Sequence, residues 1–238
     1  MSGRVLEAGG RREIAKIERR GRIVAAARDL IRETGDTDLS MRSLAERADV
    51  SVATAYNLFG SKRAVVVAVL EDERDFAERF ARLEQADSIT RIFTAHELSF
   101  SYYSGDPRFY RTLWRTMLGT SGQDESGLAS TERLATTRAI WLRLLEGAVA
   151  SGHLQDDLAV ELFLGTLAQI TGGALLAWVT GSLPTKHLTA SVGYGYASAL
   201  LGVSTAAGMP LILEKRSEYQ RQLQRADVQP LRRGAEVL

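Results

Sequence analysis

The chain contains no cysteine, which excludes disulfides, thiolate metal sites and cysteine nucleophiles and is compatible with a reducing compartment. Histidine is scarce as well. Its three histidines, His96, His153 and His187, are scattered, and no HxxxH or HxxxE spacing sets two metal ligands on one helix face. No GxSxG elbow surrounds a serine, and Gly193-Tyr194-Gly195 lacks the rest of a phosphate-cradling loop and reads as close helix packing. Asp156-Asp157 follows Gly152-His153-Leu154 and precedes an apolar run, the place of a helix cap more than of paired catalytic acids. These absences leave no catalytic residue, metal site or cofactor to expect, and the chain reads as a non-enzyme. The first twenty residues, MSGRVLEAGGRREIAKIERR, have no apolar core of the kind a secretory signal needs, so a cytoplasmic location is expected. Strand-like alternation is nowhere sustained and no internal repeat occurs. With 238 residues, 45% of them hydrophobic, an all-α chain with a sizeable core and one large or two smaller domains is expected.

What the chain does carry is concentrated in Ser40 to Phe59, SMRSLAERADVSVATAYNLF. Met41, Leu44, Ala45 and Ala48 recur at i, i+3, i+4 and i+7, which puts one apolar stripe on a short helix. Ser40 stands where a side-chain oxygen accepts a hydrogen bond from a first-turn N–H, and Ser51 repeats the arrangement before Val52. Asp49, Val50 and Ser51 form the turn. A second helix, Val52 to Phe59, turns Val52, Ala55 and Phe59 inward, so that Ala53, Thr54, Tyr56 and Asn57 face a partner. Short polar side chains with one tyrosine suit the base edges and phosphates of a major groove. Upstream, Ile23, Ala26, Ala27, Leu30 and Ile31 make another helical stripe that stops at Thr34-Gly35, where glycine suits the left-handed C-terminal conformation. Together these segments predict a helix-turn-helix unit with one small core.

A first helix ending in ETG, followed by LSMRSLAERADVSVATAYNLFGSKRAVVVAVL, resembles the N-terminal domain of TetR-type (TetR/AcrR) transcriptional regulators from Arg19 to Leu70. The resemblance implies a sequence-specific DNA-binding regulator, a repressor released from a pseudopalindromic operator by a small, largely apolar effector. It places Tyr56 and Lys62 at phosphate-contacting positions. Where the family usually carries histidine or tyrosine before the recognition-helix phenylalanine, this chain has Leu58. The candidate DNA-contacting residues are Ser40, Arg42, Ser51, Val52, Ala53, Thr54, Tyr56, Asn57 and Lys62. Charge points the same way: residues 1–65 hold 13 Lys and Arg against 9 Asp and Glu, whereas the remainder has 17 against 20. Residues 1–18 form a basic arm, and Arg11, Arg12, Lys16, Arg19, Arg20 and Arg22 either reach the DNA or lie on a solvated tail.

Residues 19–65 are thus the expected DNA-binding domain, with the motif at 40–59, and 66–225 a helical ligand-binding and dimerisation domain; 226–238 reads as a flexible polar tail. Ser61 caps a helix running to Leu83, with Val65, Val69, Phe76, Phe80 and Leu83 on its buried side, and further helices span Ser88 to Ser104, Pro107 to Leu118 and Ser130 to Ser151. Family resemblance makes the first of these the lever that carries ligand-induced movement. Between Glu161 and Glu214 the only formal charge is Lys186, and a break at Gly181 to Pro184 divides the run. A membrane hairpin is one reading, but Thr166, Gln169, Thr171, Gly172 and Gly173 dilute the hydrophobicity and no basic cluster flanks it. The favoured reading is a homodimer built on a four-helix interface and no membrane contact. Leu167, Ile170, Gly173, Ala177, Trp178, Val192, Tyr196 and Leu200 are its expected contacts. Effector-lining candidates are Phe93, His96, Phe100, Tyr103, Phe109, Trp114, Met117, Trp141, Leu145 and Phe163, with His96 open to a structural role or to orienting a polar ligand group.

Overall fold

The stripe at residues 23–31 belongs to a much longer helix than the sequence suggests. In a computed structural model, which describes residues 3–35, 37, 39–72, 87–119 and 131–226, α1 runs Gly3–Thr34, so the residues read as an arm continue the first helix. It ends where Gly35 takes φ 68° and its N–H returns to the Ile31 carbonyl at 2.9 Å. Then follow α2 (Met41–Arg47), α3 (Val52–Phe59), α4 (Lys62–Asp72), α5 (Ser88–Gly105), α6 (Pro107–Gly119), α7 (Thr131–Ala150), α8 (Val160–Val179), α9 (Thr185–Leu201) and α10 (Met209–Ala226). Among the described residues the one β-type contact is an isolated bridge, Leu154 to Ser204. The expected helix from Ser61 is seen as α4, its N–H at Ala64 donating to Ser61 Oγ at 3.2 Å; residues 73–86 lie outside the described residues, as do Ser130 and the tail from 227.

Two compact units result. The first comprises Met1–Asp75 with Asp106–Thr137, the second Phe76–Gly105 with Arg138–Leu238. In the first, α1 packs on α2 and α4, α3 rests on α2 and α4, and α6 joins α1 and α4. Ile23, Ala27, Ile31, Leu44, Ala45, Ala55, Val65, Val69 and Leu113 are its sealed interior. The link from α1 to α6 is partly polar: the Arg32 guanidinium lies 3.6 Å from Asp106 and 4.8 Å over the Phe109 ring, and Thr112 donates to the Gly35 carbonyl at 3.4 Å.

In the second unit α9 is central, packed by α5, α8 and α10. Close approach of α10 depends on a missing side chain, since a Cβ at Gly193 would lie 2.6 Å from the Tyr219 ring; one at Gly195 would meet Ile170 Cγ2 at 2.7 Å. Gly193-Tyr194-Gly195 is therefore a packing feature, as its sequence context suggests. The turn after α7 is stitched to the turn after α9 by Gln155 N–H to the Val203 carbonyl at 3.0 Å and Thr205 N–H to the His153 carbonyl at 3.1 Å. Asp156 and Asp157 do not cap α8. They are exposed in the preceding turn, and Ala159, which has no side-chain acceptor, occupies the cap position.

Candidate functional site

Both serine caps form as the sequence dictates. Ser40 Oγ accepts the Ser43 N–H at 2.9 Å and Ser51 Oγ accepts the Thr54 N–H at 3.1 Å, so each short helix begins with an orphan donor satisfied. Between them the chain reverses at Asp49, which holds φ 52°, a left-handed conformation that aspartate tolerates better than most side chains. The Val50 N–H closes the turn onto the Ala45 carbonyl at 2.9 Å. Buried Ala55 and Phe59 fix the rotation of α3 about its axis. The opposite face is thereby presented to solvent, with Val52, Ala53, Tyr56 and Asn57 exposed in one patch.

Val52 corrects one expectation. It opens the helix at 40% exposure and belongs to the outer face, because the first residue of α3 lies beyond the hydrophobic seam that Ala55 and Phe59 make. Thr54 is half-buried and its hydroxyl lies 2.8 Å from Ser51 Oγ, so it is committed to the cap as well as placed near the patch. Tyr56 is half exposed and Arg42 exposed; Lys62 is half-buried at the start of α4. Two arginines of α1 approach the same unit: Arg22 lies 3.6 Å from Asp49 in the turn, and Arg20 reaches the C-terminal end of α3. The sequence pattern marks these residues as basic without showing that α1 leads them there. The side chains of Arg11 and Arg12 lie outside the described residues.

The aromatic residues expected around an effector assemble mainly in the second unit. His96, with no exposed surface, sits 4.7 Å from Phe100, 5.2 Å from Tyr196 and 6.1 Å from Tyr219 between ring centroids. Tyr103 bridges Phe100 at 5.3 Å and Trp178 at 5.4 Å, Phe93 meets Tyr219 at 5.8 Å, and Trp141 stands edge-on to Tyr196 at 5.9 Å. Leu145 is fully buried and Phe163 partly so. Trp114 and Phe109 fall on α6, in the first unit, and the side chain of Met117 lies outside the described residues. His96 Nε2 donates to the Thr189 carbonyl at 2.9 Å, and burial pushes its pKa down to about 4 against the weaker opposing effect of that bond. The ring is therefore neutral near pH 7. Tyr196 and Thr171 share a hydroxyl hydrogen bond at 2.7 Å, and Tyr219, absent from the sequence-based candidates, donates to Glu97 at 2.7 Å.

The expected dimer contacts need a larger correction. Leu167, Trp178, Val192 and Leu200 have no exposed surface and Tyr196 only 5%, so all five are buried within the chain itself. Gly173 is exposed, and Ile170 and Ala177 are half-buried. The outer stripe of α8 is instead Leu162, Thr166, Gln169, Gly172, Gly173 and Leu176, repeated at helical spacing, with Leu162 at 78% exposure and Leu176 at 50%. By length and composition α8 passes for a membrane span, yet just 22% of its most apolar window is buried.

Comparison with known proteins agrees with the geometry of the first unit. Residues 23–69 match the model for bacterial regulatory proteins of the tetR family, the span from the α1 stripe through α4. The HTH-type transcriptional activator FasR of Mycolicibacterium smegmatis is 30% identical over 164 residues, covering 65% of this chain and 73% of FasR. Among solved structures, the fold is similar to that of TylP, a TetR regulator from Streptomyces fradiae, with a TM-score of 0.56 at 20% identity over 89% of this chain and 97% of that one. NalD of Pseudomonas aeruginosa, the secondary repressor of the MexAB-OprM efflux pump, aligns with a TM-score of 0.56 at 16% identity over 81% of this chain and 98% of its own. A capped helix-turn-helix with an open recognition face, in a chain this similar to FasR along most of its length, makes the protein a DNA-binding transcriptional regulator of the TetR family.

Proposed function

We propose that the protein acts as a homodimer that reads a pseudopalindromic operator with two copies of α3 and is released by a small, largely apolar effector, repressing transcription in the cytoplasm. The observation that carries this reading is the exposed Val52, Ala53, Tyr56 and Asn57 patch on a helix whose rotation is locked from behind. One such short helix makes few base contacts, each worth about 1–3 kcal/mol of discrimination, so a second head on a two-fold axis supplies the rest. The open outer stripe of α8, small and polar residues between Leu162 and Leu176, supports that pairing, and the neutral aromatic cluster around His96 supports an effector with little charge. An effector that takes operator occupancy from about 99:1 to 1:99 must prefer the released state by roughly 5.5 kcal/mol, shared between two sites. The name of FasR favours a second reading, activation, in which the same complex sits upstream of a promoter.

Selection of duplexes from a random DNA pool by the full-length protein tests the DNA reading. A recovered pseudopalindrome is the expected result. Tyr56→Ala and Lys62→Ala should then weaken binding to every duplex alike, whereas Asn57→Ala should alter which sequence is preferred. Enrichment of no sequence, or Tyr56→Ala and Lys62→Ala proteins that bind like the parent at moderate salt, would overturn these assignments. Placing the recovered site in a reporter promoter and removing the regulator then distinguishes repression from activation.

A further inference from the structure

We propose that Arg20 is a DNA-positioning residue, one that turns the C-terminal end of the recognition helix into a phosphate-binding corner. Its Nη1 donates to the Leu58 carbonyl at 3.2 Å, and its guanidinium carbon stands 4.3 Å over the Phe59 ring. Both partners belong to the last turn of α3, although Arg20 itself lies 38 residues earlier, on α1. That end of a helix is electrostatically wrong for DNA. Its last carbonyls have no intrahelical donor and carry the negative end of the helix dipole, which repels a phosphate. Leu58 brings no side-chain donor to correct this, and no basic residue follows within α3.

Arg20 supplies the correction from outside the helix. A guanidinium has five N–H donors in a planar fork. One is spent on Leu58, one face of the guanidinium plane is covered by the Phe59 ring, and among the described residues the other donors have no acceptor. The residue is exposed, so the free part of the fork is open to water at the C-terminal end of the helix that carries Tyr56 and Asn57. Held at two points, the cation is preorganised, and a phosphate meeting it displaces counterions without the ordering cost of a loose side chain. The contact carries no base information, so it sets the depth and tilt of α3 and leaves sequence choice to the exposed face.

This inference rests on the DNA-binding reading, and the two fail differently. The test uses the full-length protein and a fluorescein-labelled duplex recovered by the parent from the random pool, with anisotropy titrations across a series of salt concentrations. Arg20→Gln keeps an N–H donor for Leu58 and removes the charge; Arg20→Lys keeps the charge; Arg20→Met keeps a flexible apolar cover for Phe59 and serves if the glutamine variant melts early. Arg20→Gln or Arg20→Met should bind about tenfold more weakly, and the slope of log affinity against log salt should fall by about one per protomer. Arg20→Lys should retain the slope, and the preferred sequence should not change in any variant. An unchanged salt slope in both uncharged variants overturns the proposal even where affinity drops, since a prop for Phe59 would lower affinity without releasing counterions. A parent that binds no duplex sinks the DNA reading instead.

Discussion

Acid should destabilise this protein through His96 in a way that one substitution removes. The ring has no exposed surface, its neighbours Phe100, Tyr196 and Tyr219 are neutral, and its pKa lies at about 4 where an unfolded histidine has about 6.5. The unfolded chain therefore binds a proton between those two values while the folded chain does not, so stability is fully present above pH 6.5 and declines as pH falls toward 4. The gap between about 4 and about 6.5 is worth roughly 3 kcal/mol across the window, most of it lost by pH 4.5. Against a total stability of about 5–15 kcal/mol this is a large share. His96→Gln retains an N–H donor for the Thr189 carbonyl and cannot titrate, so it is the informative change. Urea unfolding of parent and variant at pH 7 and pH 4.5, at one protein concentration, isolates the residue because all other titrating groups are common to both. The variant should lose roughly 2 to 3 kcal/mol less than the parent between the two pH values. Equal acid sensitivity would show that the imidazole is protonated in the fold, and that its burial is relieved in solution.

Two further perturbations probe the second unit. Gly193→Ala sets a methyl 2.6 Å from the Tyr219 ring, so the double variant with Tyr219→Leu should recover most of the about 1–3 kcal/mol that the single change costs; thermal melting of the four proteins checks this, and additive losses would refute direct contact. Leu176→Glu puts a charge on the outer stripe of α8 without touching the protomer core, so sedimentation should report monomers where the parent gives dimers; an unaltered dimer would place the interface elsewhere.

The first unit was legible because each of its devices is local. A serine three residues ahead of its partner N–H, a glycine at a helix end and an apolar i, i+3, i+4 stripe all report on neighbours in the chain, and Ser40, Ser51, Gly35 and the Met41, Leu44, Ala45 stripe all stand where that logic puts them. Val52 failed because a helix of eight residues has barely two turns over which to define a seam, so the first residue falls to either side of it. The reach of Arg20 across 38 residues and the membership of α6 in the first unit are tertiary facts with no local signature. Neither is written in spacing.

Reading α8 and α9 failed for a different reason, one of contrast. Where a helix has one apolar face, periodicity tells inside from outside; where apolar residues surround it, every face looks like a core. Between Glu161 and Glu214 the sequence offers a single formal charge to mark a water-facing side, and the large residues Leu167, Trp178, Val192, Tyr196 and Leu200 attract assignment to whichever contact is sought. Their own protomer claims them. Bulk seeks the interior of a chain first, because intramolecular burial carries no cost of association. A surface reserved for a second copy must stay compatible with water until that copy arrives, and so carries smaller and more polar groups at intervals. Thr166, Gln169, Gly172 and Gly173 on the open stripe of α8 have that composition, with Leu162 and Leu176 as the two large apolar side chains at its ends. The residues that dilute the hydrophobicity of a membrane span are the ones left facing outward.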